Sequence, residues 1–175
     1  MEGQSYNYKI YASNGAGDGP TSPPIVGYAG EIPGVIRQDQ LYIVKRSLTE
    51  LSIAYDEPDN TGGHPILHYW IKVQSGNNFE TETEPIDNGV FLTYDYSINQ
   101  PGNEGKNFRF KVAAENLLGV GPYTIGIVLM AVNHPDAPTI AIDDLSRTLS
   151  SIGLKFAPGL SNGGSLITGY QLYRD

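Results

Sequence analysis

The sequence contains no cysteine. This absence excludes disulfide frameworks, thiolate metal sites and cysteine nucleophiles. Charged residues are also few, at 17% of the chain, and their balance is acidic, with a net charge of −8. Because nucleic-acid phosphates are bound by basic surfaces, nucleic acid is not an expected partner. No apolar run approaches the roughly 18 residues of a membrane-spanning helix, so no membrane span is expected in this segment.

The chain is rich in glycine, proline and tyrosine, with 21, 12 and 12 copies among its 175 residues. This composition is typical of short strands joined by tight turns. Apolar and polar side chains alternate with a period of two in residues 51–55, 69–73 and 108–114. Such alternation predicts strands with one face in a core and the other toward water. No segment has a convincing helical period flanked by caps, so the chain is predicted to be all-β.

The sequence repeats itself at an offset of about 101 residues. Residues 8–14 are echoed by residues 110–116, and both copies continue into Gly-x-Gly-Pro. The pattern Gly-Gly-x-x-Ile-x-x-Tyr of residues 62–69 returns at residues 163–170. A period this long is typical of a whole β-sandwich and exceeds that of a solenoid repeat.

These motifs resemble those of the fibronectin type III domain. Its third strand carries Ile-x-x-Tyr, present here as Ile66 and Tyr69, and its sixth ends in Ala-x-Asn-x-x-Gly-x-Gly-Pro, present at residues 114–122. The Gly-Gly-x-Pro-Ile-x-x-Tyr form of the motif is similar to that in giant muscle proteins such as titin. Tyr55 and Phe156 depart from the usual tryptophan of the second strand. The resemblance implies an all-β chain of tandem immunoglobulin-like β-sandwiches.

The resemblance divides the chain into one complete seven-stranded module flanked by two partial ones. Residues 1–32 supply strands F and G of a first module, residues 33–134 form a complete second module, and residues 135–175 supply strands A, B and C of a third. Strands A, B, C, C′, E, F and G of the second module are expected near residues 40–46, 50–55, 66–74, 78–84, 90–96, 107–115 and 122–131. Two or three strands alone cannot bury an apolar face. The chain is therefore expected to be a fragment of a longer array or, as a less favoured alternative, to assemble head to tail with another copy.

No catalytic, cofactor or metal site is predicted. Three glycines at positions 15, 17 and 19 suggest a phosphate-binding loop, but Pro20 and a strand follow them where a helix is needed. His64 and His68 are four residues apart on a predicted strand, a spacing of ~13 Å that cannot serve one ion. The chain is therefore not expected to be an enzyme or to bind a small-molecule substrate.

Three carboxylates, Glu80, Glu82 and Glu84, share one face of the predicted strand C′. A calcium ion needs six or more oxygens from several directions, which one flat row does not provide. The favoured interpretation is a charged edge that deters pairing between sheets, and calcium binding is the alternative.

Two surface features are candidates for contact with another protein. Trp70 is predicted to face outward on the sheet that holds strands C and F, beside Arg109 and Lys111. A cation–π ladder within the module or a hot spot for a partner would use these side chains. Leu117 and Leu118 form the tip of the F–G loop, where apolar side chains are costly to leave in water.

The same leucines lead to a hypothesis about the junction with the preceding module. We expect them to pack, together with Thr61, Gly62 and Gly63 of the B–C loop, on the end of that module near residues 28–34. That stretch includes Tyr28, Ile32 and Pro33.

The predicted function is that of a structural or adhesive segment of a tandem type III array, acting as a spacer rod or filament component. The alternative is a recognition module that binds a protein through its C–F sheet face or its F–G loop. The expected partners are proteins, either neighbouring modules of the same chain or other copies in a filament. The sequence leaves the location open between the extracellular or cell-surface side and the cytoskeleton or cilium.

Overall fold

The computed structural model describes residues 3–76 and 78–174. Apart from one 3-10 turn, Gln38–Gln40, the regular structure of these residues consists of strands. The N-terminal part has β1 (Ser5–Tyr8), β2 (Ser13–Asn14), β3 (Gly17–Asp18) and β4 (Ile25–Tyr28). The middle part has β5 (Leu41–Arg46), β6 (Glu50–Tyr55), β7 (His68–Ser75), β8 (Thr81–Glu82), β9 (Ile86–Asp87), β10 (Thr93–Ser97), β11 (Asn107–Asn116), β12 (Gly119–Val120) and β13 (Ile127–Met130). The C-terminal part has β14 (Thr139–Asp143) and β15 (Gly153–Ala157).

The middle part is a sandwich of two antiparallel sheets. One sheet has the order β10-β6-β5, and in the other β11 lies between β7 on one side and β12 and β13 on the other. The short strands β8 and β9 extend that second sheet beyond β7. In the lettering of the predicted module, the orders are E-B-A and G-F-C-C′, so the predicted all-β sandwich is confirmed. Strands C′ and G are each split into two short pieces. In strand G the break includes Pro122, which has no N–H to donate to the ladder.

The core lies between these two sheets and is built by alternate residues of three strands. Strand β6 contributes Leu51, Ile53 and Tyr55, strand β7 contributes Tyr69, Ile71 and Val73, and strand β11 contributes Phe108, Phe110 and Val112, all at most 4% exposed. Fully burying side chains of this size stabilises the fold by about 1.5–3 kcal/mol each. The Tyr55 and Tyr69 rings meet edge to face, with centroids 5.1 Å apart.

The two flanking parts form small sheets of their own. Strands β1 and β4 pair with each other, β2 pairs with β3, and β14 pairs with β15; none of these pairs joins a sheet of the sandwich. Their apolar side chains remain largely exposed, as Tyr8, Ile25, Ile140 and Phe156 illustrate.

The C-terminal part differs from the sequence-based expectation in one element. Strands A, B and C were predicted within residues 135–175, but residues 158–174 contain no strand, so strand C is not formed there. In the sandwich, strand C is held by its hydrogen bonds to strand F, and residues 135–175 contain no F segment. Tyr170 nevertheless packs on Phe156, with ring centroids 4.9 Å apart, as Tyr69 packs on Tyr55.

Candidate functional site: two repeated junctions

The first junction joins the N-terminal hairpin to the sandwich through backbone hydrogen bonds. The linker after β4 runs beside the B–C loop, residues 56–67. Glu31 donates its N–H to the carbonyl oxygen of Gly62 at 3.0 Å, and Gly34 donates its N–H to that of Asn60 at 2.8 Å. Gly62 has a φ of 71°. A side chain there would both strain the backbone and collide with the Glu31 carbonyl oxygen.

The second junction, between the sandwich and residues 135–174, repeats this arrangement. Asn133 donates its N–H to the carbonyl oxygen of Gly163 at 2.8 Å, and Asp136 donates to that of Ser161 at 3.0 Å. Gly163 has the same φ of 71°, and a side chain there would collide with the Asn133 carbonyl oxygen. Each bond is therefore the counterpart of one in the first junction, displaced by the sequence repeat.

A third segment closes both junctions in the same way. Gly3 donates its N–H to the carbonyl oxygen of Ala29 at 2.7 Å, and Gly105 donates its N–H to that of Ala131 at 2.8 Å. A Cβ on Gly3 would collide with the carbonyl oxygen of Gly63. A Cβ on Gly105 would lie only 3.1 Å from the carbonyl oxygen of Gly164. The absence of a side chain at Gly3 and Gly105 therefore allows the close approach of the two loops at each junction.

Asn116 is the main side-chain contribution to the first junction. Its Nδ2 donates to the carbonyl oxygens of Glu31 and Thr61, both at 2.8 Å. Its Oδ1 accepts the Leu118 N–H at 2.8 Å, and the residue is only 2% exposed. Sequence reasoning noted that this asparagine recurs as Asn14 but did not assign it a role. The recurrence of asparagine at this position of the repeat was the feature of the sequence that could have indicated a structural role.

The two junctions differ at the position that follows the glycine pair. His64 is 7% exposed, and its ring meets that of Tyr28 edge to face at 5.9 Å. The equivalent residue in the second junction is Ser165. An aromatic contact therefore adds to the backbone bonds only at the first junction.

The structure brings several of the predicted interdomain residues together around the linker. Pro33 is buried, and Gly121 lies so close to it that a Cβ on Gly121 would collide with the Pro33 carbonyl oxygen. A methyl group of Ile32 lies 3.5 Å from the Cβ position of Gly119. Leu117 and Leu118 are 53% and 39% exposed. Their packing role remains a prediction.

On the C–F sheet face, the expected ladder between Trp70 and Arg109 does not form. Strand register places Trp70 opposite Ala113, and its Nε1 donates to Glu115 at 2.6 Å. Arg109 instead lies over the ring of Phe79, 3.9 Å from its centroid. The sequence predicted correctly that Trp70 and Arg109 belong to strands C and F, but it did not give the register of these strands. Register decides which side chains lie opposite each other, and it does not place these two together.

Glu82, on the edge strand β8, contacts two lysines of the same sheet. Its carboxylate accepts hydrogen bonds from Lys72 at 2.9 Å and from Lys111 at 3.1 Å. These two lysines, Lys72 first, lower the pKa of Glu82 from its ordinary value of 4.5. Lys72 also lies over the ring of Tyr123, 5.1 Å from its centroid. Strand C′ is therefore tied to strands C and F by charge.

Two kinds of feature are absent from the described residues. Among residues 3–76 and 78–174, no group of three or more histidine, aspartate or glutamate side chains is arranged to hold a metal ion. The same part of the chain has no helix that is long and apolar enough to cross a membrane.

The strand order and the two facing sheets of the middle part define the class of protein: this part of the chain has the fold of a fibronectin type III β-sandwich. No family model matches the sequence. The neural cell adhesion molecule L1 of Takifugu rubripes is 24% identical over 96% of this chain, which spans only 14% of the length of that relative.

Two solved structures are similar to this chain. Domains FN1–FN3 of chicken CNTN1 are 18% identical, with a TM-score of 0.47, over 75% of this chain and 43% of that chain. A set of titin domains is 18% identical, with a TM-score of 0.49, over 62% of this chain and 36% of that chain.

Proposed function

We propose that this chain is a non-enzymatic spacer segment of a tandem type III array in a structural or adhesive protein. Residues 1–32, 33–134 and 135–175 belong to three successive modules, and the junctions set the orientation of each module on the next. The relative from Takifugu rubripes is named as an adhesion molecule. That name is consistent with the proposal but says nothing of a partner for this chain.

The observation that carries the proposal is the recurrence of one hydrogen-bond pattern at both junctions. A flexible linker would leave its backbone to water, whereas here two N–H groups of each linker bond to the following B–C loop. The glycine pairs have matching φ values, 71° and 79° at Gly62 and Gly63 and 71° and 81° at Gly163 and Gly164. Repeated geometry of this kind supports a rod in which each step turns by a similar angle.

Small-angle scattering of the full chain tests the proposal. Gly62→Ala and Gly163→Ala each place a Cβ against the linker and in the left-handed region, at a cost of about 1–2 kcal/mol for the backbone alone. We expect either variant to broaden the distribution of interdomain distances while the amide spectrum of the sandwich is retained. Gly15→Ala is the matched control, because no described atom lies within 4 Å of its Cβ position. A scattering curve unchanged in both variants would contradict the proposal.

One observation favours the alternative function of protein recognition. Asn116 holds the F–G loop rigidly, yet Leu117 and Leu118 at its tip remain substantially exposed. A rigid apolar tip suits contact with a partner protein. If the double variant Leu117→Ser with Leu118→Ser still binds a partner protein of the wild-type chain, the loop is not the binding site.

A further inference from the structure

The second junction contains the dipeptide Asn162–Gly163 in an unusual hydrogen-bonded setting. The Gly163 N–H donates to Ser161 Oγ at 2.9 Å, and Ser161 Oγ in turn donates to Glu104 Oε1 at 2.7 Å. The Gly164 N–H donates to Asn162 Oδ1 at 3.0 Å. A carboxylate is thus connected through one hydroxyl to the backbone nitrogen that follows Asn162. A separate donor polarises the Asn162 side-chain carbonyl.

We propose that Asn162 is a site of spontaneous deamidation assisted by these neighbours. The Gly163 nitrogen forms a bond to Cγ of Asn162, the Cγ–Nδ2 bond breaks, and Nδ2 leaves as ammonia. Glu104, acting through the Ser161 hydroxyl, takes the proton from the Gly163 nitrogen and returns it to the departing ammonia. Water then opens the five-membered imide at one of its two carbonyls, which leaves either aspartate or isoaspartate at position 162.

Each neighbour has a defined part in this reaction. Gly163 has no side chain to hinder the approach of its nitrogen to Cγ. The Gly164 N–H stabilises the negative charge that develops on Oδ1 during the attack. The base is carried by the sandwich and the reacting pair by the following B–C loop, so the arrangement exists only while the second junction is formed.

The chain offers two other Asn-Gly pairs that each lack one part of the arrangement. Asn14 Oδ1 accepts the Ala16 N–H at 2.8 Å, but no acceptor for the Gly15 N–H is found among the described residues. The Gly89 N–H is bonded to the Asp87 carboxylate at 2.8 Å, but Asn88 Nδ2 is held by three acceptors at 2.7–3.0 Å. Asn14 therefore has an N–H that polarises its side-chain carbonyl but no base near the following nitrogen. Asn88 has a carboxylate near the following nitrogen, but its own Nδ2, the leaving group, is held in place by hydrogen bonds.

Modification would alter the second junction alone. An isoaspartate adds one methylene to the main chain just before Gly163, whose carbonyl oxygen accepts the Asn133 N–H. Either product adds a negative charge beside Glu104 and Asp136, both of which bond to Ser161. The first junction has Thr61 at the equivalent position and cannot react. This consequence rests on the proposed spacer function, whereas the chemistry does not.

Peptide mapping by mass spectrometry, with enzymatic methylation of isoaspartate, tests the chemistry on the full chain incubated at neutral pH. We expect Asn162 to react on the order of tenfold faster than Asn14, below the roughly hundredfold or more of an optimally placed base, and Asn88 to react slowest. Glu104→Gln should slow the reaction at Asn162 and leave Asn14 unchanged. Glu31→Gln, at the first junction, should change neither rate.

Two results would overturn the assignment: reaction at Asn162 no faster than at Asn14, or a rate at Asn162 that Glu104→Gln leaves unchanged or raises. Asn162→Thr introduces the residue found at this position of the first junction and serves as the unreactive reference for scattering. Aged wild-type chain should show a broader distance distribution than aged Asn162→Thr. Deamidation without that difference would overturn the effect on the junction while leaving the chemistry in place, so the two failures are distinguishable.

Discussion

Asn14 and Asn116 occupy the same position of the repeat but have different surroundings. In both residues the side-chain oxygen accepts the N–H two residues later, at 2.8 Å. Only Asn116 has a linker and a B–C loop beside it, and its Nδ2 bonds to both. The same residue therefore stabilises a loop in one copy and a junction in the other.

We predict that Asn116→Ala destabilises the chain by about 2–3 kcal/mol. Two backbone carbonyl oxygens and one N–H lose their partner, and each net hydrogen bond contributes about 1 kcal/mol. Asn14→Ala, at an exposed position, should cost less than about 1 kcal/mol. Urea unfolding of both variants measures the difference, and equal losses would contradict the role of Asn116 in the junction.

At the scale of elements, strands β6 and β7 meet through two tyrosines whose hydroxyls differ. Tyr55 donates to the carbonyl oxygen of Phe91 at 2.9 Å and accepts from Asn88 at 2.7 Å. The buried Tyr69 hydroxyl makes no hydrogen bond within the described residues, and burial raises the pKa of Tyr69 to about 12. One hydroxyl therefore ties strand B to the loop before strand E, while the other only occupies space.

Replacing each tyrosine with phenylalanine should separate these effects. We expect Tyr55→Phe to lower the free energy of unfolding by about 1–2 kcal/mol, because Asn88 and Phe91 each lose a partner. Tyr69→Phe should be neutral or slightly stabilising, because it removes an unpaired buried hydroxyl. Thermal and urea unfolding measure both variants, and a larger loss for Tyr69→Phe would show that its hydroxyl has a partner.

The ion pairs of Glu82 predict how the C–F sheet responds to pH. Because its pKa is lowered in the folded state, Glu82 contributes stability above its unfolded pKa, and the contribution is lost as the pH falls below about 4.5 toward the folded value. The side chain is 32% exposed, so the effect should stay below about 1 kcal/mol. Wild type should thus exceed Glu82→Gln in stability at pH 7 but not at pH 3 in urea titrations. Glu84→Gln, which removes no ion pair among the described residues, should not reproduce this pH dependence.

At the scale of the whole molecule, the two junctions impose similar constraints on three consecutive segments. Each linker is bonded to the following B–C loop and lies against a glycine turn of the preceding segment. Interfaces within one chain usually leave relative motion as the default. Here the backbone of the linker is itself part of the contact, which favours a limited range of orientations.

The leucines of the F–G loop provide a test at this scale. We predict that Leu117→Ser combined with Leu118→Ser widens the distance distribution at the first junction, because the expected packing of these leucines on the linker would be lost. The double substitution Leu145→Ser with Leu149→Ser is the control, since those side chains are 93% and 110% exposed. Scattering curves that coincide for the two double variants would refute the packing role of Leu117 and Leu118.

The repeat, most of the strands and hence the type of sandwich could be predicted from the order of residue types alone. Alternation at residues 51–55 and 69–73 is a local property, since successive side chains of a strand point to opposite faces. The repeated glycine pairs were also visible in the sequence, but the sequence did not show why glycine is needed at these positions. Residue types were sufficient to predict the structure where neighbours along the chain set the local conformation.

The hydrogen bonds of the junctions could not be predicted in this way, because they depend on how distant segments meet in space. Backbone N–H and carbonyl groups form the bonds from Glu31 to Gly62 and from Asn133 to Gly163. Because nearly all residue types have both groups, no pattern of side chains predicts these bonds. Strand register places Trp70 opposite Ala113 and Arg109 opposite Gln74, and the ring that Arg109 covers is that of Phe79, in the turn before strand C′. The approach of Glu104 to Ser161 likewise joins positions 57 residues apart. Such contacts depend on how separate elements are placed in space, and a linear pattern of residue types does not encode that placement directly.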